Sequence, residues 1–145
     1  MTQVDFYLTQ SSQQQHALVT ACRLAEKASK QGHHVFIHAD DEPQAQQLDK
    51  LLWTFKQTSF IPHRIIESDT GTDSNDKVLI GHNHDPEFEH DVMINLATTI
   101  PDFFSRFKRV AEIVSGNEEQ RQQARQRFKF YRDRGYELNT HEFKD

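Results

Sequence analysis

Short apolar runs alternate with longer segments of helical period along this chain, and this alternation constrains the fold more than any other feature. The strands predicted from it cover residues 4–8, 34–38, 77–80 and 92–96, with an extended segment at 60–66. The predicted helices cover residues 16–30, 41–55, 101–114 and 118–134. Strands that alternate with helices form βαβ units, so we expect an α/β fold with a mainly parallel sheet covered on both faces. Pro62 places the 60–66 segment at a rim or an edge of that sheet.

The composition fits one domain that spans residues 1–145. Hydrophobic residues make up 35% of the chain and the mean hydropathy is −0.81, so the chain is polar but has enough apolar mass for a core. There is no apolar run near 18 residues and no basic, apolar leader. The single cysteine permits no internal disulfide. We therefore predict a soluble, cytosolic protein.

The usual glycine motifs of nucleotide sites are missing. The first turn from strand to helix, residues 9–13, contains no glycine, and the five glycines of the chain never cluster. A dinucleotide site needs glycines in that turn so that phosphate can approach the backbone. No nucleotide or other cofactor is therefore expected.

Metal and enzyme chemistry remain weaker alternatives. His82 and His84 would face the same side of a strand, which suits two ligands of one ion, but a polar loop between two strands explains them as well. Cys22 lies in the apolar stripe of the first helix and is expected to be a buried, inert thiol. A small-molecule enzyme site at the carboxyl end of the sheet is a third possible function.

The last predicted helix begins a basic segment in a chain that is otherwise acidic. Residues 121–145 hold seven Lys and Arg against four Asp and Glu, whereas the rest holds ten against eighteen. At about 100° per residue, one narrow stripe collects Arg121, Arg125, Lys129 and Arg132. Phe128 lies beside that stripe, while Ala124 and Tyr131 face the sheet.

An aromatic ring flanked by cations suits a ligand that has both an apolar group and a carboxylate. Alternatively, the basic face is only solvated and Phe128 packs in the core. Direct binding of single-stranded nucleic acid by the same helix is the second functional candidate. The formal net charge of −5 weighs against it.

Trp53 marks a second candidate surface. Leu48, Leu52 and Phe55 define the buried face of the second helix, and Trp53 lies about 100–160° away from them. An exposed tryptophan is a common interface anchor, and Phe60 follows a few residues later. The two could form an apolar docking patch, or Trp53 could cover the sheet edge of its own domain.

Several segments, in this order and spacing, resemble one known family. They are Asp5-Phe-Tyr-Leu8, Leu52-Trp53, Ser59-Phe-Ile-Pro-His63, Glu112-Ile-Val114, Ala124-Arg-Gln-Arg-Phe-Lys129 and Gly135-Tyr-Glu-Leu-Asn-Thr140. Over nearly its whole length the chain resembles the chi subunit of the bacterial DNA polymerase III holoenzyme. The resemblance implies a Rossmann-like, three-layer α/β/α fold without nucleotide activity. It also implies a non-catalytic accessory subunit of the clamp-loader assembly, with no membrane contact.

The same resemblance implies two protein partners, so that DNA is contacted mainly indirectly. One is the psi subunit, which tethers chi to the clamp loader, and the other is the acidic C-terminal tail of single-stranded-DNA-binding protein. That tail ends in a phenylalanine with a free carboxylate.

Carried over by position, the resemblance assigns two sets of contact residues. The tail-binding set is Val114, Arg121, Arg125, Phe128 and Lys129. The psi-binding set is Trp53, Phe60 and Pro62. Two positions depart from the family pattern, because Phe128 stands where a tyrosine occurs and Arg121 where a lysine occurs. The first puts a hydroxyl contact in doubt, and the second keeps the charge.

Overall fold

The computed structural model describes residues 2–54, 62–66, 77–82, 85 and 90–143. Within these ranges the chain forms seven strands and three α-helices. The strands are β1 (Gln3–Thr9), β2 (Val35–His38), β3 (His63–Ile65), β4 (Val78–Gly81), β5 (His90–Asn95), β6 (Phe107–Val114) and β7 (Glu137–Phe143). The helices are α1 (Gln14–Lys30), α2 (Glu42–Thr54) and α3 (Glu118–Asp133), and a short 3₁₀ turn covers Phe104–Arg106.

The strands form one sheet in the order β3-β4-β2-β5-β6-β1-β7, and every neighbouring pair is parallel. All carboxyl ends therefore lie at the same edge of the sheet. β3 and β7 are the two outer strands, so the edge position that Pro62 predicts for the third strand is correct.

Helices cover both faces of the sheet, which gives the expected three layers. The face under α1 and α2 packs Leu18, Cys22, Leu48 and Leu52 against alternate strand residues such as Ile37 and Ile94. On the opposite face, α3 and the 3₁₀ turn pack against the strand residues that point to that side of the sheet. Its buried members include Phe6, Phe36, Met93, Val110, Val114, Ala124 and Tyr131. The α/β prediction is confirmed in class, layers and strand direction.

The helix ends follow from ordinary capping chemistry. The backbone N–H of Gln44 donates to Asp41 Oδ1 at 2.9 Å, so Asp41 caps α2 as predicted. Asn117 caps α3 by accepting from the N–H of Gln120 at 3.2 Å. Gly32 and Gly135 follow α1 and α3 with φ of +89° and +80°, a conformation that glycine adopts without strain.

The helix predicted at residues 101–114 is wrong. The segment forms the 3₁₀ turn and then β6, a central strand between β5 and β1. Residues 110–114 are all buried, because helices cover both faces of the sheet. A short, mostly apolar run of this kind fits a helical period as well as a buried strand, so the periodicity alone could not decide.

The strand β7 was not predicted. Its residues are mostly exposed or half-buried and polar, since β7 is an outer strand with only β1 beside it. Register places Thr140 beside Phe6 and His141 beside Tyr7. Among the described residues, no helix combines the length and the apolar character that crossing a bilayer requires.

Candidate protein-binding site

A small cavity lies between α3 and the β6-β1-β7 side of the sheet. Its volume is about 160 Å³. The lining residues come from four elements and are Phe6, Leu8, Val114, Arg121, Ala124, Arg125, Phe128 and Thr140. We call it the tail pocket. Four of the five residues predicted for tail binding line it, namely Val114, Arg121, Arg125 and Phe128.

The floor of the tail pocket is apolar. Val114 and Ala124 are buried, and Phe128 is half-buried with its ring set edge-on to Phe6 at a centroid distance of 5.4 Å. Phe128 is therefore both a wall of the cavity and a member of the α3 core. The sequence left open whether Phe128 packs in the core or lines a binding surface. Its ring does both, since it contacts Phe6 and also lines the cavity.

Two guanidinium groups lie at the rim of this floor. Arg121 donates from Nη2 to the backbone carbonyl of Thr9 at 3.1 Å, which ties it to the end of β1. The Arg125 side chain is 67% exposed and lies 3.5 Å from Glu118 in a loose ion pair. Lys129 is exposed on the next turn and does not line the cavity.

A tight loop contact sets the position of the first turn of α3. The N–H of Gly116 donates to the carbonyl of Ser11 at 2.8 Å. A Cβ atom at Gly116 would lie 2.2 Å from the carbonyl oxygen of Gln10, so only glycine allows this approach. The loop after β6 is thereby held against the loop after β1, beside the tail pocket.

A buried polar cluster contacts a different side of α3. Glu112 on β6 is fully buried, and its carboxylate accepts from Arg127 Nε at 3.0 Å and from the Tyr131 hydroxyl at 2.7 Å. Asn95 Nδ2 donates to the same carboxylate at 3.0 Å. We call these four residues the Glu112 cluster. Sequence reasoning did not single out Arg127 or Glu112 as a pair.

The electrostatics of the cluster follow from burial and from its donors. Burial raises the pKa of Glu112, and Arg127 opposes that rise. Burial, followed by the neighbouring Glu112, raises the pKa of Tyr131. All three partners of Glu112 donate, so its carboxylate form satisfies every hydrogen bond whereas a protonated carboxyl would not.

The cluster continues to the carboxyl edge of the sheet. Asn95 Oδ1 lies 2.9 Å from His38 Nδ1 and also accepts from the N–H of Ala97 at 3.1 Å. Burial lowers the pKa of His38, with the Asn95 contact opposing that shift. These polar side chains satisfy one another within the fold and leave no arrangement of nucleophile and base.

The Trp53 surface lies at the far edge of the sheet. Trp53 lies in the last turn of α2, is 52% exposed, and is the only exposed large hydrophobic side chain in the described part of the chain. Its ring lies 4.5 Å from that of His63, and His63 Nε2 lies 3.2 Å from Asp49 Oδ1. Pro62 is exposed just before β3, whereas Phe60 lies outside the described residues.

The metal alternative gains no support. Of the two candidate ligands, His82 follows β4 and His84 lies outside the described residues. Within the residues that the structure describes, no group of three or more His, Cys, Asp or Glu side chains could hold an ion. Cys22 is buried as predicted, and burial raises its pKa to about 12.

Comparison with known proteins decides the family. Residues 1–139 match the family described as DNA polymerase III chi subunit, HolC. The chain belongs to the chi subunit family of DNA polymerase III. This confirms the resemblance found in the sequence, and it makes the chain an accessory subunit of a polymerase rather than an enzyme in its own right.

Curated relatives agree with the family over most of their length. The chain is 43% identical over 141 residues to DNA polymerase III subunit chi of Pseudomonas aeruginosa, which covers 97% of this chain and 96% of the relative. It is 31% identical over 119 residues to the subunit chi of Escherichia coli, covering 82% and 80%. For the subunit chi of Haemophilus influenzae the identity is 31% over 121 residues, covering 83% of each chain.

Proposed function

We propose that this chi-family chain links DNA polymerase III to single-stranded-DNA-binding protein in the cytoplasm. In this proposal the tail pocket binds the acidic C-terminal tail of that protein, and the surface around Trp53 binds the psi subunit of the clamp-loader assembly. Both partners come from the family resemblance, and the geometry supports the way in which each would be recognised.

The observation that carries the proposal is the tail pocket itself. It joins an apolar floor to two guanidinium groups within one cavity of about 160 Å³. An apolar protein cavity of about 150 Å³ accommodates benzene, so this volume suits a single phenyl ring. It is smaller than the roughly 300–1,000 Å³ of most small-molecule sites. A terminal phenylalanine fits both the size and the charge.

Arg125 is the residue that we assign to the terminal carboxylate. Its guanidinium is exposed at the rim, and its ion-pair partner within the described part of the chain is Glu118 at 3.5 Å. Arg121 already donates to the Thr9 carbonyl, so it is less free to turn toward a ligand. A planar guanidinium can hold a carboxylate by two parallel hydrogen bonds. Arg121 and Lys129 would then attract acidic residues upstream in the tail.

Direct binding of single-stranded nucleic acid receives less support from the same geometry. The usual sites present aromatic faces on which bases stack. Phe128 is half-buried and packs edge-on against Phe6, so its ring is shared with the core. Glu118 also lies in the first turn of α3 and pairs with Arg125, which places a negative charge beside the cations.

A labelled acidic peptide that ends in Pro-Phe with a free carboxylate tests the tail pocket. We expect binding in fluorescence anisotropy, and we expect Arg125→Ala to weaken it at least about tenfold through loss of a charged hydrogen bond. The peptide amide should bind far more weakly than the acid. Equal binding of acid and amide would refute the carboxylate mechanism.

Arg132→Ala is the matched control for that experiment. Arg132 lies on the same helix and is exposed, but it does not line the tail pocket and pairs with Asp133. Its loss should change peptide affinity only slightly, by long-range charge. Tight binding of a naked oligonucleotide with a steep salt dependence would instead favour the nucleic-acid alternative.

The Trp53 surface is tested separately with purified psi subunit. Replacing a central exposed tryptophan in an interface commonly costs about 2 kcal/mol or more, so Trp53→Ala should weaken psi binding in calorimetry at least about thirtyfold. The same variant should keep its peptide affinity, and Arg125→Ala should keep its psi affinity. Loss of both activities in either single variant would contradict two independent sites.

A further inference from the structure

We infer that Glu112 is a positioning residue for the tail pocket. It fixes the rotation of α3 about its own axis, and so determines where the guanidinium of Arg125 and the ring of Phe128 lie. The expected effect on peptide affinity rests on the proposed function, whereas the expected effect on the position of α3 does not.

The contacts of Glu112 reach two successive turns of α3. Arg127 and Tyr131 are four residues apart, so they lie one above the other on the same side of the helix. Glu112 Oε1 accepts from Arg127 at 3.0 Å and Oε2 accepts from Tyr131 at 2.7 Å. One carboxylate thus accepts hydrogen bonds from two successive turns of α3. Two such bonds resist both rotation of the helix about its axis and translation along it.

The carboxylate is itself held in place. Asn95 Nδ2 donates to it at 3.0 Å and also donates to the Thr99 carbonyl at 3.0 Å. Arg127 Nη1 reaches the Thr98 carbonyl at 3.3 Å. The cluster therefore connects α3 to β5, to β6 and to the loop after β5.

The tail pocket lies on a different side of the same helix. At about 100° per residue, Arg127 and Tyr131 lie roughly 60–160° from the positions of Arg121, Arg125 and Phe128. A rotation of α3 about its axis would carry Arg125 and Phe128 away from Val114 and Leu8, with which they line the tail pocket. The hydrogen bonds of Glu112 have strict directions, which apolar packing lacks.

Stability alone gives a weak reason for this cluster. Replacing a buried ion pair by well-packed apolar residues is often neutral or stabilising, whereas such pairs can specify one arrangement among several. In the structure all four groups are hydrogen-bonded to one another between α3 and the centre of the sheet. We assign their role to geometry on that ground.

The test uses a variant that removes both charges and the Tyr131 hydroxyl of the cluster, and keeps Asn95, which still donates to the Thr99 carbonyl. It combines Glu112→Leu, Arg127→Leu and Tyr131→Phe in the full chain. Two quantities are measured, the nuclear Overhauser effects between the rings of Phe6 and Phe128 and the affinity for the acidic peptide. We expect a folded protein in which those ring contacts weaken and the affinity falls at least about fivefold, as misplacement of a charged hydrogen bond would cause.

A double-mutant comparison separates positioning from general damage. Arg125→Ala should cost much less affinity in the triple variant than in the unaltered chain, because Arg125 is already misplaced there. Leu48→Ala is the control, since it opens a cavity in the α2 core without touching α3. It should lower stability while keeping the ring contacts and the affinity.

Arg127→Lys provides a second variant in case the triple variant does not fold. A lysine keeps the charge but lacks the planar fork that reaches Glu112 and the Thr98 carbonyl together, so a smaller loss of both measured quantities is expected. Unchanged ring contacts in every folded variant would overturn the inference. The ring contacts could weaken in the variants while the unaltered chain binds no peptide. That result would uphold the positioning role of Glu112 and refute the proposed function.

Discussion

The guanidinium of Arg125 lies 3.5 Å from the carboxylate of Glu118, two turns earlier on the exposed side of α3. Glu118 is thus paired with the same guanidinium that we assign to the tail carboxylate. An incoming peptide must displace Glu118 from Arg125. Both side chains are largely exposed, and such pairs contribute only about 0–1 kcal/mol. Glu118 therefore acts as a weak competitor within the same chain.

We expect Glu118→Gln to raise the affinity for the acidic peptide about two- to threefold at low salt, because a weak exposed ion pair no longer competes. The gain should shrink as salt is added, because salt screens exposed charges. Anisotropy titrations at two salt concentrations measure it. Glu119→Gln is the control, since Glu119 lies in the same first turn of α3 but the ion-pair partner of Arg125 is Glu118. A larger gain from Glu119→Gln would contradict the competition.

Gly116→Ala should lower the free energy of unfolding by about 1–3 kcal/mol, the usual cost of forcing an atom into a filled space. Its Cβ would meet the Gln10 carbonyl at 2.2 Å, so the two loops must move apart. Urea unfolding followed by circular dichroism measures the change. Gly135→Asn is the comparison, because nothing lies within 4 Å of its built Cβ and asparagine tolerates positive φ. Equal costs at both glycines would contradict the close approach.

Glu112→Gln should destabilise the chain far more than the triple apolar variant. The amide leaves Arg127 buried without its counter-charge, and breaking a buried pair in this way costs about 3–5 kcal/mol. Removing both charges and the Tyr131 hydroxyl avoids that cost. Midpoints of urea unfolding for the two variants give the comparison. A triple variant less stable than Glu112→Gln would mean that the cluster contributes mainly stability.

His38 should make the stability of the chain fall in acid. Burial lowers its pKa in the folded state, whereas the unfolded imidazole takes up a proton near its ordinary pKa of about 6.5. Below that pH the unfolded state binds more protons, so the contribution of His38 is complete above about pH 6.5 and is lost as the pH decreases.

The free energy of unfolding, measured from pH 7.5 to 5, should therefore decrease less steeply with falling pH for His38→Gln than for the unaltered chain. His33→Gln is the control, because His33 is exposed and lies two residues before β2, whereas His38 is the last residue of β2. An equal reduction of this pH dependence in both variants would contradict the claim that His38 is buried and neutral.

Cys22 should react with thiol reagents only when the chain unfolds. Its side chain is fully buried and burial raises its pKa to about 12, so almost no thiolate exists at neutral pH. Labelling should be slow in buffer and fast in urea, with a rate that follows the unfolding transition. Rapid labelling of the folded chain would mean that α1 opens locally.

The sequence predicted most of the layered fold because hydrophobic period and capping residues agree in α1 and α2. It failed at β6, where two covered faces bury all of residues 110–114 and four of these five residues are apolar, so the period that distinguishes a strand from a helix is lost. It also missed β7, whose polar residues carry no apolar alternation because the strand lies at the edge.

The candidate site was predictable in part for a similar reason. The helical wheel places Arg121 and Arg125 on one side of α3, and the structure brings both to the tail pocket. The contributions of Phe6, Leu8 and Thr140 depend on the strand order β6-β1-β7, which local patterns do not encode. A signal for the Glu112 cluster was present, since Glu112 is the one acidic residue within the apolar run 110–114.

The tail pocket has walls from β1, β6, α3 and β7, so its residues come from both ends of the chain. No fragment that lacks either end could form it, and a partly folded chain would present the basic helix without the cavity. A ligand that recognises only the complete cavity stabilises the native state by mass action. Under the proposed function, occupancy by the tail would raise the melting temperature of the chain, and the subunit would be most resistant to unfolding while it is engaged on its partner.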